Sequence, residues 1–186
     1  MNSVVPPGTA KPERQHRLFF ALWPSDELRS ALAPRIRALQ PVDVGRPQRP
    51  DQWHATLEFL GSVPASSLAA VREAAAEVRA APCEILFDAV EYWRRPEVLC
   101  LVARGLPAPL GDLVAQLRAS LAARGFEPES RPFKAHLTLA RKVTHPVAIE
   151  PFEPLHWPVA DFALVESITD RSGSLYTPLA AWRLVG

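Results

Sequence analysis

One four-residue phrase, written twice, constrains this chain more than anything else in it. His54-Ala55-Thr56-Leu57 reads His, apolar, Thr, Leu, and His136-Leu137-Thr138-Leu139 reads the same. Side chains on a strand alternate between faces. Each copy therefore presents its histidine and threonine together and turns Ala55 and Leu57, or Leu137 and Leu139, into a core. A lone His-x-Thr is usually surface decoration. Two copies on β-patterned runs, brought face to face, would set two imidazoles and two hydroxyls around one small anion.

The rest of the chain supplies strands and helices for such a meeting. Residues Met1 to about His16 hold three prolines and a glycine without periodicity and read as a flexible tail. Residues 17–186 read as a single domain. Arg17 to Trp23 is an apolar run of strand length, suited to a central strand. Ser25 or Asp26 can cap the helix that follows, whose face is Leu28, Leu32, Ile36 and Leu39. Pro34 should kink or divide it. Gln40 to Gln52 is a proline-rich loop with Arg46 and Arg49 as cations, leading straight into the first motif strand, Trp53 to Gly61.

Leu68, Val71, Ala75 and Val78 mark a second helix between about Pro64 and Ala80. Cys83 to Trp93 reads as one strand, paired with Val98 to Ala103 through a turn at Arg94 to Glu97. A third helix spans Pro107 to Arg124, with Gly125 as its stop. The second motif strand runs on through Arg141 and Lys142. A loop from Thr144 to Pro158 precedes strands at Asp161–Thr169 and Leu175–Val185, joined by a turn at Asp170 to Gly173. The two motif strands each follow a helix, which predicts two similar lobes, each a small antiparallel sheet with helices on its outer face.

Composition narrows the function classes. A net charge of +1 over 186 residues does not suit wrapping long nucleic acid by charge alone. Any such partner must be held locally by a few basic residues. Cys83 and Cys100 lie on apolar runs with no pairing pattern, as in a reduced, cytoplasmic protein with buried thiols. No secretory signal and no bilayer-length apolar run is present, so no membrane partner is expected. There is no His-Glu-x-x-His, cysteine cluster, phosphate-binding glycine loop or nucleophile elbow, so no metal and no cofactor is expected.

The residues resemble the two-histidine phosphoesterase superfamily, and within it the RNA 2′,3′-cyclic phosphodiesterases, also called 2′-5′ RNA ligases. The likeness covers nearly all the chain after the tail. It lies in RLFFALWP at 17–24, WHATLEFLG at 53–61, PEVLCL at 96–101, FKAHLTLAR at 133–141, and LVES with a later tyrosine over 164–176. It implies a bilobal α+β fold of pseudo-twofold symmetry, with the motif strands lining a central cleft. Ala135 stands where the family usually has proline, and Ala55 where a larger apolar residue is common. Neither departure touches the histidines or threonines.

Opening a strained 2′,3′-cyclic phosphate needs an activated water and a proton for the departing ribose oxygen. Histidine suits both tasks because its ordinary pKa lies near 6.5. Sequence alone leaves the order of the two roles open. The family likeness assigns His54 as proton donor and His136 as proton acceptor, and implies a 2′-phosphate product, with ligation as the reverse direction. Thr56 and Thr138, short and stiff at χ1, can donate to non-bridging phosphate oxygens.

Arg141 is the candidate further phosphate contact. Strict alternation puts it on the wrong face, so it reaches the cleft only if the strand bulges, twists or ends. Arg131 and Lys134 either steer RNA ends or merely solvate the surface. Trp53, Phe59 and Phe133 suit core packing better than base stacking. His16, His145 and His156 receive no role. The expected partners are RNA ends or nucleotide cyclic phosphates, met by a monomer. Competing readings keep the site but change the substrate to a 2′,5′-oligonucleotide or an ADP-ribose cyclic phosphate, or keep the fold as a non-catalytic RNA-end or nucleotide-binding module.

Overall fold

A computed structural model describes residues 13–40, 45–170 and 173–185. The elements run β1 (Gln15–Leu22), α1 (Asp26–Leu39), β2 (Arg46–Pro47), β3 (Ala55–Pro64), α2 (Leu68–Ala76), β4 (Cys83–Phe87), β5 (Ala89–Trp93), β6 (Val98–Val102), α3 (Ala108–Ala122), β7 (His136–Arg141), β8 (Leu155–Val159), β9 (Asp161–Asp170) and β10 (Gly173–Arg183). Short 3₁₀ turns precede β3 and α2. The strands form two four-stranded antiparallel sheets, ordered β10-β9-β1-β3 and β2-β7-β6-β5, and a separate β4-β8 pair. This is a mixed α+β fold with one motif strand in each large sheet.

Alternation within β1 explains how an all-apolar run is used. Leu18, Phe20 and Leu22 enter the main core, which also takes Leu32 and Ile36 of α1, Val71 of α2 and Leu110, Leu113, Leu117 and Leu121 of α3. Leu57, Leu137 and Leu139 from the motif strands join the same cluster, so both sheets share one core. Burying one leucine contributes about 1.5–3 kcal/mol. A slip of one residue would move that whole row out of the main core to the opposite face, which fixes the register. The opposite faces carry two small apolar beds. Phe19, Ala21, Ala163 and Val165 form one, and Ala89, Val98, Cys100 and Val102 the other.

Several expectations are corrected. Residues 1–12 of the expected tail, 41–44 of the first loop and 171–172 of the last turn lie outside the described residues. Gln15 and His16 belong to β1, and His16 is buried against Glu166 at 2.7 Å. α1 runs unbroken through Pro34, which sits on the exposed face, so the carbonyl it leaves unbonded stays near water. Ser25 is the cap, accepting from the Leu28 amide at 3.2 Å.

The single strand expected over 83–93 is two. Asp88 divides it by accepting the Arg104 amide, and β4 leaves for β8 while β5 pairs with β6. β8 begins inside the expected 144–158 loop, where Pro154 just before it and Pro158 within it disguise it. Pro158 is exposed in a two-stranded ladder, a position proline tolerates. His156 is therefore on a strand, beside Glu84. Both thiols are free, and Cys83 is only half-buried.

Candidate active site

Each motif histidine is held by its own backbone. His54 stands one residue before β3, and its Nδ1 lies 2.7 Å from the Gln52 carbonyl oxygen. His136 opens β7, with Nδ1 2.8 Å from the Lys134 carbonyl oxygen. A carbonyl only accepts, so both Nδ1 atoms carry the proton. Each Nε2 is then left to exchange protons with whatever occupies the cleft. The two rings, 82 residues apart in sequence (136 − 54), thus carry the same anchor, to the carbonyl two residues back.

The motif strands also break alternation at the same place. On β3, Thr56 faces Ala21 and Glu58 faces Phe20, which leaves Leu57 unpaired. On β7, Thr138 faces Cys100 and Ala140 faces Leu99, which leaves Leu139 unpaired. One extra residue shifts the side-chain phase by one. Phe59 therefore returns to the face of Thr56, and Arg141 to the face of Thr138. That bulge is what brings Arg141 into the cleft despite its place in the alternation. Ala135, where the family usually has proline, is buried, and its carbonyl accepts the Ala103 amide at 3.1 Å.

Two adjoining cavities flank this line. One, of about 280 Å³, holds His54, Thr56, Phe59 and Arg141, with Arg17 and Tyr176 on its walls. The other, of about 270 Å³, holds His136, Trp93, Phe133 and Lys134. Thr56 and Phe59 line both. Thr138 is half-buried, lines neither, and stands across from Cys100, whose thiol burial pushes up to about 12.

The rings differ in surroundings. Trp23 stacks on His54 at 5.7 Å and 16°, and Phe19 and Tyr176 each stand 5.0 Å away. Burial in this box lowers His54 to about 4, against the opposing pull of the Gln52 carbonyl; the charges of Arg141 and His136 lower it further. His136 meets Trp93 alone, at 4.6 Å, and is lowered by burial first, then by Arg141 and Lys134.

Sequence reasoning missed the box around His54, because Phe19 and Trp23 sit in a run apolar on both faces. It also missed Glu58. This carboxylate is 2% exposed and accepts Arg118 Nε at 2.7 Å and the Glu129 amide at 2.7 Å. Arg118 in turn donates to the Arg131 carbonyl, so the first motif strand grips the segment that delivers the second. The only signal was an acid two residues past a motif threonine. Phe59 is 48% exposed, and so is not core; Trp53 is buried, with its indole N–H on the Gln48 carbonyl. Arg131 and Lys134 are tied to Glu129 and Glu91. His145 stays in a loop. Among the described residues, no group of three or more His, Cys, Asp or Glu could hold a metal ion, and no helix is long and apolar enough to cross a membrane.

Two imidazoles, the Thr56 hydroxyl and the Arg141 guanidinium thus line two adjoining cavities. The family model described as LigT like Phosphoesterase matches residues 22–100 and again 102–176, one motif in each stretch. The chain belongs to that family. It is 34% identical to the RNA 2′,3′-cyclic phosphodiesterase of Escherichia coli, over 90% of this chain and 96% of that one. It is 30% identical to the protein of the same name from Thermus thermophilus, over 91% of each. The solved structure of E. coli LigT complexed with 3′-AMP superposes with a TM-score of 0.83 at 33% identity, covering 93% of this chain and all of that one.

Proposed function

We propose that this protein opens RNA 2′,3′-cyclic phosphate ends to 2′-phosphates, with His54 as proton donor and His136 as proton acceptor. One observation carries the proposal: two imidazoles, each fixed through Nδ1 to a backbone carbonyl, serve one cleft together with Thr56 and Arg141. The names of the E. coli and Thermus relatives support the substrate class.

Water attacks phosphorus, and the bond from phosphorus to the 3′ oxygen breaks. His136 Nε2 takes a proton from the water as His54 gives one to the departing oxygen, and solvent later restores both rings. Thr56 donates to a non-bridging oxygen, Thr138 is the weaker second donor, and Arg141 balances the oxygens' charge. The exposed ring of Phe59 offers a base a stacking surface.

The distribution of charge supports the assignment of donor and acceptor. The departing oxygen stays on the terminal ribose, so the donor stands where the RNA lies. Arg17 and Arg141 line the His54 cavity and enter no ion pair among the described residues. On the His136 side, Arg118, Arg131 and Lys134 are each paired with a glutamate. A polyanion is favoured on the first side, which makes His54 the donor. In the free site burial lowers both rings, His54 to about 4; the substrate's negative charge, settling beside His54, raises it toward the protonated form that a donor needs.

One chain carries both histidines, so a monomer suffices, and free thiols suit a cytoplasmic setting. The test is incubation with chelator and oligonucleotides ending in 2′,3′-cyclic phosphate. The expected result is chelator-resistant formation of 2′-phosphate. Loss of activity on chelation, or full activity without either histidine, would overturn the mechanism.

A further inference from the structure

The cleft continues past Arg141. A smaller cavity of about 110 Å³ shares Arg141, Ser174 and Tyr176 with the His54 cavity. It has room for a phosphate, several times the ~30 Å³ share of one water, and too little for a nucleoside. Its described lining holds three cations, Arg46, Arg141 and Lys142, with the amides of Gln48 and Gln52, and no carboxylate. Arg141 and Lys142 enter no ion pair among the described residues.

The backbone is shaped around these cations. Lys142 takes φ 57, in the left-handed region that side-chain-bearing residues seldom occupy. Gly45, at φ 73, lies so close that a Cβ there would stand 2.6 Å from the Arg141 carbonyl oxygen. A Cβ on Gly173 would stand 3.2 Å from the Arg46 guanidinium. Two glycines and one strained lysine thus set cations next to the reacting centre.

We infer that this cavity binds the phosphate on the 5′ oxygen of the terminal nucleoside, so that the protein selects oligonucleotide ends over bare cyclic nucleosides. This rests on the activity proposed above and names the part of the substrate that reads the cleft beyond Arg141. The phosphate is either a terminal monoester or the internucleotide diester, and the substrates tell them apart.

The experiment compares three substrates: a nucleoside 2′,3′-cyclic phosphate, the same compound 5′-phosphorylated, and a dinucleotide with the cyclic end. A charged hydrogen-bond partner predicts kcat/KM about tenfold higher for the latter two, mostly through KM. Its decline with salt should steepen by about 0.7 in log–log slope for one phosphate contact. A gain for the monoester alone would assign the cavity to 5′-phosphate ends, and a gain for both to any 5′ phosphate. The double variant Arg46→Gln, Lys142→Asn should erase the gain and the added slope while leaving the bare substrate within twofold. Asparagine is chosen because it tolerates positive φ. Equal kcat/KM for all three substrates, or a gain that survives the double variant, would overturn the subsite.

Calorimetry with nucleoside 2′-phosphate, with and without a 5′-phosphate, decides the same question without turnover. Equal affinities overturn the subsite. A tenfold difference with no turnover of any cyclic substrate upholds the subsite and overturns the activity instead.

Discussion

The two motif strands share one local grammar and stand in unlike neighbourhoods. Histidine, threonine two residues on, an unpaired leucine next, and a side chain returned to the cleft at the fifth place after the histidine: β3 and β7 both follow this order. The neighbours then divide them. His54 is boxed by three aromatic rings beside arginines that enter no ion pair among the described residues, whereas His136 touches one ring beside cations already neutralised by glutamates. The fifth place is Phe59 in one copy and Arg141 in the other. Repeated backbone geometry presents two like groups, and the packing around them makes those groups unlike. Acid–base catalysis on one phosphate requires both.

Removing either ring should break this arrangement most severely. His54→Ala and His136→Ala should each lower turnover of a cyclic phosphate by roughly 10²–10⁴-fold. A p-nitrophenyl phosphodiester sharpens the contrast, because its leaving group needs no proton. With that ester His54→Ala should lose far less than His136→Ala; equal losses would reverse or erase the proposed division of roles. The pH profile of kcat/KM reports the free enzyme. Both histidines are lowered there, so its optimum should fall below the ordinary histidine value of about 6.5.

The threonines come next. Thr56 lines both cavities, while Thr138 lines neither. Thr56→Val should cost roughly 10²-fold in kcat, the loss typical of one preorganised donor, and Thr138→Val distinctly less. Steady-state kinetics on the two variants checks it, and equal losses would mean the second hydroxyl turns to the anion when substrate binds.

These contrasts rest on features of unequal legibility. The motif pairs, the interior leucines and all three helices could be read from periodicity, because alternation and helical spacing are local. The bulges could not. Leu57 and Leu139 are ordinary strand leucines, and nothing in their spelling says that the partner strand skips them. Hence Arg141 fell on the wrong face by counting, and the interior turn of Glu58 went unseen. The break at Asp88 and the strand around Pro158 depend on partners distant in sequence, Arg104 and β4. Pairing between remote segments, not local propensity, decided each of these.

Stability should separate the histidines as well. The pKa of His54 is about 4 in the folded chain against 6.5 ordinarily. Between those values the unfolded chain binds a proton that the native one refuses, so stability rises with pH across the window. The contribution is complete above about pH 6.5 and lost as pH falls toward 4, on the order of 2–3 kcal/mol. Denaturant titrations at pH 7 and pH 4.5 should show this loss, His54→Asn should shrink it, and His136→Asn, removing a smaller depression, should shrink it less. An unchanged pH dependence in His54→Asn would mean the aromatic box does not exclude the charged ring.

Phe59 gives the smallest effect and the most specific one. It occupies the place that Arg141 holds in the other copy, yet it offers the cleft an apolar surface and not a charge. Arg17 lies 4.7 Å over its ring, which fixes the ring and leaves a face toward the cleft. Losing one base–aromatic stack costs about 1–3 kcal/mol, so Phe59→Ala should raise KM about tenfold with kcat little changed. Stacking releases no counterions, so the salt slope should stay as in the parent, whereas Arg141→Ala should flatten it. A Phe59→Leu variant that binds as well as the parent would show that the site needs only an apolar filler there, and a flattened salt slope in Phe59→Ala would show that the ring acts by holding Arg17 in place.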